Sequence, residues 1–283
     1  MSKHPIVLFD SGVGGTSILK EIIHLLPHEN IVYLADSKNA PYGLRTRQDI
    51  INLSLKNTEL AIQMEAKMII VACNTASTNA ISFLRSHYTL PFIGIEPAIK
   101  PAALNSKAKR IGVLATKGTL SSELFKQTSE SFTKGINVIE VIGEGIVEAV
   151  EGGWTDDKTF VDNLNQQIQP FIKEDIDYLV LGCTHFPYII PLLKELLPKH
   201  VTIIDSGRAV ARQTKAVLEE QHLKNTEDSF GHINIYTNTV NSSHLRELMK
   251  DFKKCKYYSK GLLVVYRGAI TLITLSIFTK IIS

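Results

Sequence analysis

Short, near-continuous runs of β-branched and aliphatic residues recur along the chain, and no other feature limits its fold as tightly. They fall at residues 6–9 (IVLF), 31–34 (IVYL), 68–72 (MIIVA), 92–95 (FIGI), 111–115 (IGVLA), 138–142 (VIEVI), 178–181 (YLVL) and 201–204 (VTII). A strand with one wet face alternates apolar and polar residues, whereas a continuous apolar run suits a strand covered on both faces. Longer segments with helical spacing lie between the runs. Residues 17–26 place Ile18, Leu19, Ile22, Ile23, Leu25 and Leu26 around Lys20, Glu21 and His24, and residues 49–64 set Ile50, Leu53, Leu60 and Met64 on one side. Alternation of this kind builds βαβ units. The predicted fold is α/β, with mostly parallel sheets.

The strand ends rhyme between the two halves. The run at 6–9 enters Asp10-Ser11-Gly12 and the run at 201–204 enters Asp205-Ser206-Gly207; the run at 68–72 enters Cys73-Asn74-Thr75 and the run at 178–181 enters Gly182-Cys183-Thr184-His185. Two similar α/β domains, facing a shared cleft, account for the repetition. Ligands of open parallel sheets bind beyond the carboxyl ends of the strands, where all four of these polar segments fall. Each wall of the cleft then carries one cysteine.

Composition closes off several function classes. The 283 residues carry 31 Lys+Arg and 28 Asp+Glu, a net charge of +3, which gives no reason to expect nucleic acid as a partner. Cys73, Cys183 and Cys255 are too few for a disulfide scaffold and fit a reducing compartment. No CxxC or paired-histidine spacing suggests a metal site. Residues 1–4 run directly into the first strand without the apolar segment of a secretion signal, so no targeting segment is expected there. Residues 261–283 are strongly apolar, but their charge-free stretch, 268–279, is short against the roughly 20 residues a membrane helix needs, so no span is expected. The charge is uneven as well. Residues 246–283 hold eight Lys/Arg against Glu247 and Asp251, or +6, leaving −3 for residues 1–245.

Cysteines at the ends of apolar strands are ordinarily small buried hydrophobes, and Cys255, in the run Lys253-Lys254-Cys255-Lys256, has no partner motif. Cys73 and Cys183 differ because small polar residues follow each at once, where a helix is expected to begin. A helix N-terminus favours a thiolate. The turn Asp10-Ser11-Gly12-Val13-Gly14-Gly15-Thr16-Ser17 suits either an anion cradle or a tight turn capped by Ser or Thr, and its spacing matches neither a dinucleotide fingerprint nor a P-loop. Ala40-Pro41-Tyr42-Gly43 reads as a chain reversal. Two facing thiols with a carboxylate and an imidazole nearby are compatible with disulfide redox, with acyl transfer by one cysteine, and with stereoinversion at a carbon acid. Disulfide redox favours close cysteines, usually CxxC, and acyl transfer leaves the second cysteine unexplained, whereas inversion uses one on each face of a planar carbanion; spacing alone does not choose.

The segments FDSGVGG (9–15), LADSKNAPYG (34–43), VACNTAS (71–77), IGVLAT-x-GT (111–119), LGCTHFP (181–187) and IIDSG (203–207) resemble, in order, those of the glutamate racemases, cofactor-independent members of the aspartate/glutamate racemase superfamily. The resemblance covers about residues 5 to 236. It implies interconversion of L- and D-glutamate without pyridoxal phosphate or metal, in the cytoplasm, with D-glutamate supplied to peptidoglycan synthesis. It implies Cys73 and Cys183 as the catalytic pair, Asp10 beside the first, His185 beside the second, and Glu151 rather than Glu148 as the additional acid. Substrate contacts carry over to Asp10, Ser11, Tyr42, Gly43, Asn74, Thr75, Thr184 and His185. The family's fold implies a first domain of residues 1–97 plus 208–255 and a second of 98–207, with 256–283 an atypical apolar tail, and a homodimer is expected. An aspartate racemase, a single-cysteine decarboxylase and an inactive glutamate-binding protein are the alternatives that the same residues leave.

Overall fold

The computed structural model describes residues 3–259, except Asn241 and Lys253. Its strands are β1 (Ile6–Asp10), β2 (Ile31–Ala35), β3 (Met68–Val71), β4 (Phe92–Gly94), β5 (Arg110–Ala115), β6 (Asn137–Ile142), β7 (Tyr178–Gly182), β8 (Thr202–Ile204), β9 (Ile233–Thr237) and β10 (Cys255–Ser259). Among the described residues they form two sheets, ordered β10-β9-β2-β1-β3-β4 and β6-β5-β7-β8. Every pairing is parallel.

The continuous apolar runs are explained by burial on both faces. Side chains alternate along a strand, and β1 feeds two cores. Ile6 and Leu8 pack with Ile18, Leu19 and Ile22 of helix α1 (Thr16–Leu25). Val7 and Phe9 pack with Ile50 and Ala61 of helix α2 (Arg47–Gln63) and with Ala76, Ala80 and Leu84 of helix α3 (Asn74–His87). The second sheet repeats the arrangement: Leu179 and Leu181 of β7 join the first of these cores, while Val180 faces Ile99, Ala102, Val113 and Phe125. Truncating one such side chain to Ala costs about 2–5 kcal/mol, so register is strongly fixed. The strands that end in Asp-Ser-Gly and in Cys lie side by side in both sheets, β1 with β3 and β8 with β7.

Two strands escaped the sequence pattern. In β9 (INIYT) a polar Asn234 interrupts the run, and β10 (CKYYS) is a half-exposed edge strand whose lysine made it read as part of a basic segment. Residues 256–259, expected to open the apolar tail, thus belong to a strand; 260–283 lie outside the described residues. Between β9 and β10 the chain forms a six-residue helix, Ser243–Leu248. No helix among the described residues is long and apolar enough to cross a membrane.

Candidate active site

Asp10, the last residue of β1, is buried, and its carboxylate accepts the Gly12 N–H at 2.9 Å and the Thr184 hydroxyl at 3.2 Å. The second bond joins the two halves of the chain. Burial raises the Asp10 pKa from 3.8 to about 6, against the pull of the His185 charge and of the Gly12 and Gly15 N–H groups.

The glycine-rich turn behaves differently from expectation. Its glycines do not take left-handed backbone conformations, and α1 is capped by Gly15 without a side-chain hydrogen bond. Their role is close approach. A Cβ on Gly12 would lie 1.8 Å from Glu151 Oε1, and one on Gly14 would lie 2.2 Å from His185 Nδ1. The turn does cradle an anion, but that anion is the protein's own: Val13 N–H donates to Glu151 Oε1 at 2.6 Å.

Cys73 caps α3, its sulfur accepting the Ala76 N–H at 3.4 Å, and its thiol donates to Ser11 Oγ at 3.7 Å. A helix N-terminus alone favours the thiolate, yet here burial pushes the Cys73 pKa up, and the Asp10 charge adds to that. The Ala76 and Ser11 hydrogen bonds offset only part of it. Cys183 also contributes to Cys73 through its charge, so the two sulfurs share one electrostatic environment.

Cys183, just past β7, lies 3.7 Å from His185 Nδ1, and Nε2 on the ring's other side is 2.6 Å from Glu151 Oε1. With Nε2–H directed to the carboxylate, a neutral ring offers its Nδ1 lone pair to the Cys183 S–H, and an imidazolium offers Nδ1–H to the thiolate. Burial disfavours the imidazolium, but the hydrogen bonds and charges of Cys183 and Glu151 outweigh it and raise the His185 pKa well above the usual value. The helix expected directly after Cys183 is replaced by a 3₁₀ turn, Phe186–Ile189, before helix Ile190–Leu196. Pro187 and Pro191 lack the N–H groups that a continuous helix through this segment would use.

The remaining candidates converge on the same cleft in different ways. The Tyr42 ring is buried and its hydroxyl is committed to Asp36 at 2.5 Å, so this residue can present only backbone to a ligand; Gly43 is pressed against Thr116, whose Cβ would stand 2.8 Å from an added methyl. Thr75 shares hydrogen bonds of 2.8 and 3.3 Å with the hydroxyls of Thr116 and Thr119. Asn74 is the exception. It is 3% exposed, and neither amide atom has a protein hydrogen-bond partner. Glu148 lines a cavity with Pro41, Gly43, Leu44 and Lys117, and His185 is not among its lining residues. Thr116, Thr119, Asp36 and Tyr33 were not singled out from sequence; the position of Thr116, immediately after an apolar run and at a helix N-cap, was the available signal. Among the described residues, no group of three or more His, Cys, Asp or Glu side chains converges as a metal site requires.

The chain belongs to the Asp/Glu/Hydantoin racemase family, whose profile matches residues 10–214. A glutamate racemase of Herpetosiphon aurantiacus is 40% identical over 233 residues, covering 82% of this chain and 92% of its own. One from Clostridium botulinum is 39% identical over 247 residues, covering 87% and 95%. Among solved structures, a glutamate racemase isoform of Bacillus anthracis superimposes with a TM-score of 0.82 at 29% identity, covering 92% of this chain and 98% of its own. The Escherichia coli glutamate racemase, in complex with L-glutamate and the activator UDP-MurNAc-Ala, gives 0.80 at 32% identity, covering 91% and 98%.

Proposed function

We propose that this chain is a glutamate racemase, an isomerase that interconverts L- and D-glutamate by proton transfer at the α-carbon. The observation that carries the reading is the pair of buried cysteines at the ends of β3 and β7, each with its own polar partners: Ser11 and Asp10 for Cys73, His185 and Glu151 for Cys183. One sulfur, as thiolate, takes the α-proton from one face; the other, as thiol, delivers a proton to the opposite face. The old C–H bond breaks and a new one forms; the abstracted proton stays on the first sulfur and the second is left as thiolate, the charge state from which the reverse direction starts. His185 exchanges a proton with Cys183 through Nδ1 while Glu151 holds its Nε2. The unpartnered Asn74 amide beside Cys73 offers a donor for a substrate carboxylate and an acceptor for its ammonium, and the Ser11, Thr75 and Thr184 hydroxyls stand near.

Glu151 takes the accessory acid's part, because it and not Glu148 reaches His185. Domain limits of 1–97 plus 208–255 and 98–207 are supported by how the strands divide between the sheets, except that β10 carries the first domain on to Ser259. A homodimer in the cytoplasm, feeding D-glutamate to peptidoglycan synthesis and binding no nucleic acid, completes the reading. The test is incorporation of deuterium from D₂O into the α-position of L- and D-glutamate by the purified protein. Exchange and inversion are expected, and Cys73→Ser or Cys183→Ser should each abolish racemisation in a folded protein. A folded wild type without exchange overturns the assignment; near-normal rates in either variant overturn the two-base mechanism.

A further inference from the structure

Tyr33, on β2, lies outside the catalytic groups named so far. Its ring is fully buried beneath the glycine-rich turn, and its hydroxyl donates to the Gly12 carbonyl at 2.6 Å. That carbonyl and the Val13 N–H belong to one planar peptide unit, on which they point in opposite directions. The Val13 N–H donates to Glu151 Oε1 at 2.6 Å; the same oxygen is 2.6 Å from His185 Nε2, and His185 Nδ1 is 3.7 Å from the Cys183 sulfur. An unbroken line of hydrogen bonds therefore runs from Tyr33, in one half of the chain, to Cys183 in the other. Fixing one end of a rigid peptide fixes the direction of the other, and donation to its carbonyl polarises its N–H. The turn is pressed onto the phenol: a Cβ on Gly15 would lie 2.8 Å from the Tyr33 oxygen. The next carbonyl, Val13 O, is held separately by Thr16 Oγ1 at 2.5 Å, with the Tyr188 hydroxyl 2.5 Å behind it.

We infer that Tyr33 is a positioning residue for the Cys183 wall: through the Gly12–Val13 peptide it aims the N–H that fixes Glu151, and Glu151 in turn fixes the imidazole that trades a proton with Cys183. The inference rests on the racemase reading, and its consequence is directional. Only proton transfer at Cys183 depends on this line, and that transfer lies on the path in both directions; the α-deuterium isotope effect reports it in the direction in which Cys183 is the base. A role limited to filling space beneath the turn shifts the isotope effects of both directions alike.

The experiment is steady-state racemisation in both directions, with protiated and α-deuterated glutamate, for the full chain and for Tyr33→Phe, Glu151→Gln and the double variant, folding being checked by circular dichroism and melting. For Tyr33→Phe, kcat should fall about tenfold with KM within about twofold. The α-deuterium isotope effect should rise in one direction, the same one that Glu151→Gln affects. The double variant should lose no more than about twofold beyond Glu151→Gln alone, because both changes cut one line. Unchanged kinetics in Tyr33→Phe, or losses that multiply in the double variant, overturn the inference. An inactive wild type instead overturns the racemase reading. Should Tyr33→Phe fail to fold, fluorotyrosine at position 33 keeps the ring and hydroxyl while strengthening the donor; the isotope effect should then move the opposite way in that direction, and an unchanged value refutes the role.

Discussion

Replacing Gly12 by Ala should cut the rate sharply while leaving the fold nearly as stable as before. The new Cβ would stand 1.8 Å from Glu151 Oε1 and 2.5 Å from its Cδ, so the carboxylate must leave. Its departure is sterically easy, because the obstacle is the end of a flexible side chain that is already 18% exposed. Two hydrogen bonds of 2.6 Å go with it, from Val13 N–H and from His185 Nε2. A hydrogen bond to a charged group is worth about 1.5–3 kcal/mol. If the transition state feels the loss of one of them at His185, kcat falls by about 10- to 150-fold. Stability changes less, because Glu151 can be solvated and Ala restricts the unfolded chain by about 0.4–1 kcal/mol more than Gly. The melting temperature should stay within about 3 °C. Racemisation followed by circular dichroism, beside a thermal melt, reads both quantities. In Gly12→Ala/Glu151→Ala the clash has no target, so its rate should match that of Glu151→Ala alone. The reasoning is refuted by a wild-type kcat in Gly12→Ala, or by a further large loss when Gly12→Ala is added to Glu151→Ala.

Asp10 supplies a pH signature. Its folded pKa is raised from 3.8 to about 6, so its proton favours the native state; that contribution is complete below 3.8 and is lost as pH rises through 6, a swing of roughly 3 kcal/mol. Melts at pH 4 and pH 8 should show Asp10→Asn gaining on the wild type at the higher pH, and a constant difference contradicts this. The kcat/KM of the wild type should decline below about pH 6, where Asp10 takes up its proton. Asn74→Ala removes a buried amide that holds no protein partner, so the melting temperature of the free enzyme should not fall, whereas KM for glutamate should rise by about tenfold or more; a lowered melt with unchanged KM rules against the substrate contact.

The sheets were legible because burial on both faces leaves a mark in consecutive residues. All eight apolar runs are strands, from residues 6–9 to 201–204. The strands that were missed carry Asn234 or the mixed CKYYS of an open edge, where burial is incomplete and the mark fades. The site was legible where chemistry sits directly after a strand, as with Asp10, Cys73 and Cys183. It was illegible where residues meet across the chain. Val13 and Glu151 are 138 positions apart, so no local pattern could tell that the glycine turn holds a side chain of the protein itself. The thiolate expected of Cys73 failed for a related reason: its helix N-terminus is local, but the burial and the Asp10 carboxylate that outweigh it are set by packing.

The way Cys73 is kept has a cost and a benefit measured in chemical lifetime. Alkylating agents and peroxides attack thiolates far faster than thiols. A sulfur that is 5% exposed, with its proton held by burial and by a neighbouring carboxylate, is a poor target for either while the enzyme idles. It becomes a nucleophile only during the part of each cycle when its proton has been given away. The susceptibility of this one sulfur to electrophiles should therefore follow turnover, with Cys73 alkylated faster in the presence of substrate than in its absence.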